Sequence, residues 1–314
     1  MTKLAFVFPG QGAQTVGMGR DLYEHSEAAR QVFETLDNAF GFAVSEICFN
    51  GPETTLKETQ NTQPALFAVS AATFASCMEA GLLPSVVAGH SIGEYAALYA
   101  AGVFDLVTAA HLVATRGNAM ANAAIEYPGT MAAVLGLDAT VVSEVCQSIT
   151  GIVVPANDNC PGQVVISGAV QAISEITPVL KERGAKRVLP LAVSGAFHSP
   201  LMQSAAEKMK SALADATVNV PKIPFIANVT ADDARTPEAI RANLAAQVAG
   251  PVRWTETIQR LAADGYTTFI ECGPGNVLAG LIKRIAPEAK SYSIGDTATL
   301  KAAVEALGGI EGTQ

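Results

Sequence analysis

The sequence predicts an α/β fold with a mostly parallel sheet, interrupted by a small ferredoxin-like insertion. Three observations carry this expectation. Short β-branched runs alternate with long Ala- and Leu-rich stretches of helical length. The 314 residues exceed the roughly 100–200 typical of one domain. Residues 126–197 read β-α-β-β-α-β, the order of a ferredoxin-like unit. The expected organisation is a core from 1–125 and 198–314, with an inserted subdomain at 126–197.

The elements follow in order. LAFVF (4–8) reads as a buried first strand, followed by a glycine-rich loop from Pro9 to Gly19. One helix is expected from about Asp21 to Phe40. Pro64 sits near the start of another that Gly81 stops, the usual proline-first, glycine-last asymmetry. SVVAG is a strand. Helices follow at about 92–101 and 106–124, the second N-capped by Asp105. In the insertion, TMAAVLGL, IVVPAN, QVVISGA and AKRVLPLAV are strands. DATVVSEVCQSI and VQAISEITPVLKERG are helices, with Pro178 inside the latter. Beyond it, Ser199-Pro200 and Thr236-Pro237-Glu238 each open a helix, and IPFIANV is a strand. A helix around 253–263 leads to the strand YTTFIEC, and Gly273-Pro274-Gly275 turns into a further helix. The tail GGIEGTQ is expected to fray.

Composition narrows the function classes. Charged residues are 16% and hydrophobic residues 49%, with a mean hydropathy of +0.29. A disordered or nucleic-acid-coating chain is charge-rich and apolar-poor, so neither fits. Net charge is −9 and the pI about 5.0, which disfavours global binding to phosphate backbones or anionic membranes. The apolar runs are too short or too broken by Ser, Thr and Gly to span a bilayer. LAFVF is too short for a signal peptide and no A-x-A site follows. Five cysteines form no C-x-x-C pair, which fits a cytoplasmic protein with unpaired thiols. No His/Cys/Asp/Glu cluster has metal-ligand spacing, and no cofactor is expected. The loop PGQGAQTVGMG has Gly10 and Gly12 but Thr15 where a dinucleotide fingerprint needs glycine.

The chemistry starts at Gly89-His90-Ser91-Ile92-Gly93, which matches the nucleophile elbow G-x-S-x-G between a strand and a helix. The elbow needs small flanks, and it aims the serine at a helix N-terminus that can hold an oxyanion. A serine nucleophile needs a base, and there are four histidines. His25 falls on a solvent face. His111 sits among apolar residues and reads as a core histidine. His90 adjoins Ser91 and should point elsewhere. His198 remains, just after a strand, where open α/β sheets place their sites. An acid to orient His198 is not obvious; Asp158 precedes it in an Asn-rich loop, and a carbonyl could serve instead. Arg116 lies in an apolar helix. It is either a structural ion pair or a cleft-facing cation suited to a carboxylate.

Several motifs together resemble one family. They are Phe8-Pro9-Gly10-Gln11-Gly12-Ala13-Gln14, Gln63-Pro64-Ala65-Leu66, Gly89-His90-Ser91-Ile92-Gly93-Glu94, Arg116-Gly117-Asn118-Ala119-Met120, Gly195-Ala196-Phe197-His198-Ser199 and Gly273-Pro274-Gly275. The chain resembles the malonyl-CoA:acyl carrier protein transacylases and is similar to polyketide synthase acyltransferase domains. The resemblance covers nearly the whole chain. It implies a hydrolase-like core and a malonyl-serine intermediate on Ser91, with His198 as base and then acid. It implies that Arg116 holds the malonyl carboxylate, and that Gln11 and Ile92 lend backbone N–H groups to the oxyanion. Gln247 would orient His198 through its carbonyl, and Gln63 and Asn159 match pocket positions. Phe197 matches the malonyl-selective form of its motif, with bulk that disfavours a methylmalonyl branch.

The implied partners are malonyl-CoA and an acyl carrier protein, with the coenzyme A thioester as a substrate, and a monomer is the default expectation. A serine thioesterase on a similar core and a polyketide-pathway acyltransferase are the alternatives. Carrier proteins of this kind are acidic, so docking on an acidic chain needs a local basic patch. Lys181, Arg183, Lys186 and Arg187 on the insertion, and Lys283 with Arg284 on the core, are the candidates.

Overall fold

The computed structural model describes residues 3–308. Strand β1 (Leu4–Phe8) is buried at every residue. Next come α1 (Arg20–His25) and α2 (Glu27–Phe40). The single helix expected here is two, because Ser26 takes extended backbone and its hydroxyl caps α2, accepting from the Ala29 N–H at 3.2 Å. Short helices α3 (Val44–Asn50) and α4 (Glu53–Lys57) lead to α5 (Thr59–Glu79). Pro64 lies inside α5, in its second turn, so the helix begins five residues before the proline. α5 is buried on nearly all sides, which explains its lack of a polar face.

Strand β2 (Val86–Gly89) precedes α6 (Gly93–Ala100) and α7 (Leu106–Glu126). Asp105 caps α7, accepting from the Thr108 N–H at 2.7 Å. His111, expected in the core, is exposed instead. It falls in the stripe His111, Asn118, Asn122, Ile125, which is the outward face of α7 at helical spacing.

The second sheet is built from β3 (Gly129–Leu135), α8 (Ala139–Ser148), β4 (Val153–Cys160), β5 (Gln163–Ala169), α9 (Val170–Glu182) and β6 (Arg187–Pro190). Its strand order is β4-β5-β3-β6, with every pairing antiparallel. This is the ferredoxin-like arrangement that the element order predicts.

The chain returns through a 3-10 turn at Pro200–Met202, capped by Ser199, to α10 (Gln203–Asp215). Strand β7 (Phe225–Ile226) has two residues, shorter than IPFIANV suggests. The chain turns back at once, with the Ala227 N–H donating to the Asp232 carbonyl. Helices α11 (Pro237–Gln247) and α12 (Trp254–Ala263), β8 (Thr268–Cys272), α13 (Val277–Ile285), β9 (Lys290–Ile294) and α14 (Thr297–Ala306) complete the fold. The tail expected to fray lies, from residue 309 on, outside the described residues.

The central sheet has order β7-β2-β1-β8-β9, and all its neighbours run parallel. Phe8 pairs with Gly89, so the loops leaving β1 and β2 emerge side by side at the carboxyl edge. The two sheets are joined along β4. The Asp158 N–H donates to the Val252 carbonyl at 3.0 Å, and the Val252 N–H to the Ala156 carbonyl at 2.8 Å. Among the described residues no helix is long and apolar enough to cross a membrane. All five cysteines are buried and free.

Candidate active site

Ser91 stands in the turn between β2 and α6 with φ at 53°, a left-handed conformation that costs a residue with a Cβ strain energy. The flanks explain how the turn fits. A Cβ on Gly89 would lie 2.1 Å from the Gly93 carbonyl, and one on Gly93 would lie 2.1 Å from the Phe8 carbonyl oxygen. Both positions require glycine because β1, β2 and α6 meet there without space for a methyl group. Asn228 clamps the turn from beneath. Its Oδ1 accepts from the Ser91 N–H at 2.8 Å and its Nδ2 donates to the Gly89 carbonyl at 2.5 Å.

His198 is the second residue of the site in left-handed backbone, with φ at 59°. Its Nδ1 lies 2.9 Å from the Gln247 carbonyl oxygen and 3.1 Å from that of Gly250. Carbonyls only accept, so Nδ1 carries the proton and Nε2 presents its lone pair. Ser91 Oγ is 2.7 Å from Nε2 and donates to it. Burial, then the nearby Arg116 charge, depress the His198 pKa to about 3, against the pull of its two carbonyl partners. The ring is therefore neutral near pH 7, as a base must be. No carboxylate orients it; two loop carbonyls do.

Arg116 is 1% exposed, so its charge lies inside the protein. Gly117 makes this possible. A Cβ there would come within 3.2 Å of Gln60 Cα, so glycine lets α7 lie close against α5. Arg116 Nη1 donates to Gln63 Oε1 and Nη2 to Gln247 Oε1, each at 2.7 Å, and Nη2 also donates to Ser91 Oγ at 3.1 Å. Of the two readings left open by the sequence, the geometry is that of a cation facing the cleft. Its anchors are neutral amides, and among the described residues no carboxylate forms a salt bridge with it. Its positive charge is thus directed at the cavity without being neutralised by a direct partner.

The cavity over Ser91 has a volume of about 320 Å³ and reaches Gln11, Gln63, Ile92, Arg116, Phe197 and His198. Among the described residues, neither the Gln11 nor the Ile92 backbone N–H has an acceptor. Asn159 also borders the cavity and its Oδ1 accepts from His90 Nε2 at 2.9 Å, so the His90 ring points away from Ser91 Oγ. Asp158 does not join the site. Its carboxylate accepts from Thr255 Oγ1 at 2.8 Å, beside the seam between the sheets.

The sequence reading missed three contributors. Asn228, the elbow clamp, stands in the turn after β7 with no motif around it. Glu94 is named in the elbow motif but carries no role there; it is 1% exposed and bonded to Asn228 and Gln247. The side chain of Gln247 was also missed, since the resemblance uses only its carbonyl. Met131, Ala133 and Val165 of the small sheet form an apolar wall, legible only as alternating strand positions.

Comparison with known proteins gives the family. The acyl transferase domain family model matches residues 5–300. The chain is 43% identical to the malonyl CoA-acyl carrier protein transacylase of Bacillus subtilis over 98% of both chains. It is 43% identical to that of Haemophilus influenzae over 98% of this chain and 100% of the other. The structure of an acyl-carrier-protein-S-malonyltransferase from Bartonella henselae superposes with a TM-score of 0.94 at 45% identity, covering 98% of this chain and 100% of that one. A malonyl-transacylase solved in complex with its type II polyketide acyl carrier protein also gives 0.94, at 40% identity, covering 97% and 100%. The chain belongs to the acyl transferase domain family, in its malonyl-CoA:acyl carrier protein transacylase group.

Proposed function

We propose that this enzyme moves a malonyl group from malonyl-CoA to the phosphopantetheine thiol of an acyl carrier protein, in two half-reactions through Ser91, supplying fatty-acid synthesis. The observation that carries the reading is the buried, amide-anchored Arg116 donating to the same Oγ that donates to His198. A nucleophile beside a cation with no carboxylate bonded to it is suited to an acyl group that ends in a carboxylate.

In the first half-reaction Ser91 Oγ attacks the thioester carbonyl and its proton passes to His198 Nε2. The new C–O bond forms as the carbonyl oxygen takes negative charge, and the Gln11 and Ile92 N–H groups donate hydrogen bonds to it. Collapse breaks the C–S bond, and coenzyme A leaves with the proton from His198. The second half-reaction runs the same path backwards. The carrier thiol gives its proton to His198 and attacks the ester carbonyl; Ser91 leaves and regains the proton. The scheme uses a coenzyme A thioester as substrate and calls on no cofactor. The five unpaired thiols, among them Cys77 and Cys272 with sulfurs 3.9 Å apart, support a reducing, cytoplasmic setting. A monomer is the working assembly.

The carrier protein needs basic residues at the cavity mouth. Arg284 is the candidate best placed: it donates to Gln163 Oε1 at 2.7 Å, and Gln163 borders the cavity. Arg183 is partly neutralised by Glu144 at 3.3 Å. Mass spectrometry tests the whole scheme. Incubation with malonyl-CoA should add one malonyl group to the Ser91 peptide and none to Ser91→Ala. Addition of carrier protein should move the group to it. Release as free malonate would instead identify a thioesterase.

A further inference from the structure

Behind the cavity lies a buried carboxylate that the transfer chemistry does not touch. Glu94 is the second residue of α6. Its Oε1 accepts from the Asn228 backbone N–H at 2.9 Å, and its Oε2 accepts from Gln247 Nε2. Gln247 then divides its amide between two tasks. Nε2 also donates to the Ser91 carbonyl at 2.9 Å, while Oε1 accepts from Arg116 Nη2 at 2.7 Å. That guanidinium nitrogen is the one bonded to Ser91 Oγ.

A glutamine amide has two ends of similar shape and opposite polarity. A carboxylate only accepts, so an ionised Glu94 must face the NH2 end. The oxygen end is then left for the guanidinium, which only donates. The reversed amide would set NH2 against Arg116 and oxygen against both Glu94 and the Ser91 carbonyl. We infer that Glu94 is a positioning residue: its carboxylate orients the Gln247 amide, which holds Arg116 beside Ser91, and this sets the preference for a carboxylate-bearing acyl group. The inference rests on the malonyl-transfer reading above.

A protonated Glu94 can donate, and so tolerates or favours the reversed amide. Burial raises its pKa to about 7, opposed by the bonds from Asn228 and Gln247 and by the Arg116 charge. The other charged or titratable groups around it are Arg116 on α7, Tyr95 on α6, and the rings of His198 and His90. Burial lowers Arg116 from a value far above neutrality, raises Tyr95, and lowers both histidines. Glu94 is the member of this cluster whose charge changes near pH 7.

The test compares rates of Ser91 loading from malonyl-CoA and acetyl-CoA, by rapid quench and peptide mass. The wild-type enzyme is followed from about pH 5.5 to about pH 8.5, spanning the shifted carboxyl. Ionisation of coenzyme A is common to both donors and cancels in the ratio. The malonyl-to-acetyl ratio should rise about tenfold with pH, the worth of one hydrogen bond to a charged group. Glu94→Gln should hold the ratio low at every pH, and Glu94→Asp should restore a rising ratio. A ratio flat with pH in the wild type, or a full ratio in Glu94→Gln, overturns the role of Glu94. The wild-type series stands by itself if the glutamine variant does not fold. If the wild type takes no malonyl group on Ser91 at any pH, the transfer reading fails, and this inference with it. If it loads with a flat ratio, Glu94 alone is wrong.

Discussion

In the central sheet β1 and β8 are buried at every residue, whereas in the small sheet β6 is exposed at three of its four positions. The two regions meet at one cavity and bring different things to it. The parallel sheet, covered by helices, holds backbone in strained and tightly enclosed turns and presents Ser91 at its carboxyl edge. The helices packed on it bring Arg116 and Glu94 into the interior. The antiparallel sheet supplies an apolar wall and an exposed edge strand, β6. The chemistry is thus built where the structure can sustain strain and buried charge, and access is shaped where side chains can vary freely.

The comparison can be broken at its strongest point. Gly93→Ala pushes a Cβ to within 2.1 Å of the Phe8 carbonyl oxygen, so β1 and α6 must part. Overpacking of this kind costs about 1–3 kcal/mol or more. The urea midpoint should fall and Ser91 loading should be nearly abolished. Wild-type loading in this variant would mean that the elbow is not rigid.

Arg116→Ala tests the buried charge. Loss of a cation that substrate pairs should remove about 2–5 kcal/mol of malonyl preference. The malonyl-to-acetyl ratio should drop by tens to thousands of fold while acetyl loading persists. Equal loss with both donors would place Arg116 in structure rather than selectivity.

Buried titrating groups make the core, not the small sheet, the acid-sensitive part. His198 has its folded pKa at about 3, below its ordinary 6.5. The unfolded chain therefore binds the extra proton between these values, and the contribution of His198 is lost as pH falls. Glu94 is raised from 4.5 to about 7, so its contribution is lost as pH rises through that range. The two slopes oppose each other between about 4.5 and 6.5 and leave stability nearly level there. Below about pH 4.5 only the histidine term remains and stability falls. Denaturation midpoints across pH should show this shape. His198→Gln should replace the plateau with stability that rises on acidification toward pH 4.5.

The smallest effect is expected at the rim. Charge reversal at Lys283 and Arg284 should raise the apparent KM for carrier protein roughly several-fold, through slower encounter. Malonyl loading from coenzyme A should be nearly unchanged. If both half-reactions weaken alike, the docking face lies elsewhere.

Periodicity and turn chemistry made most of the fold legible. Asp105, Ser199-Pro200 and Thr236-Pro237 mark helix starts because their capping partners lie within three residues. The βαββαβ order is likewise a local pattern repeated. Errors arose where local signals gave way to packing. Ser26 splits a helix whose apolar spacing runs on across it. His111 follows the orientation of α7, which its apolar neighbours did not reveal. β7 stops early because the chain turns back to Asp232.

The sequence by itself determined that a serine sits between two glycines at a strand-to-helix turn, since that turn admits little else. It also determined that one arginine stands in an apolar helix beside a glycine. Only the tertiary structure decided what these residues face. Ser91 and His198 are 107 positions apart, and Gln247 is 156 from Ser91. Contacts over such separations follow from strand order and register, not from any local spacing. The same holds for the roles of Asn228 and Glu94. Hydrogen-bond polarity is fixed by which partner arrives in the folded chain, and no single stretch of sequence contains both partners.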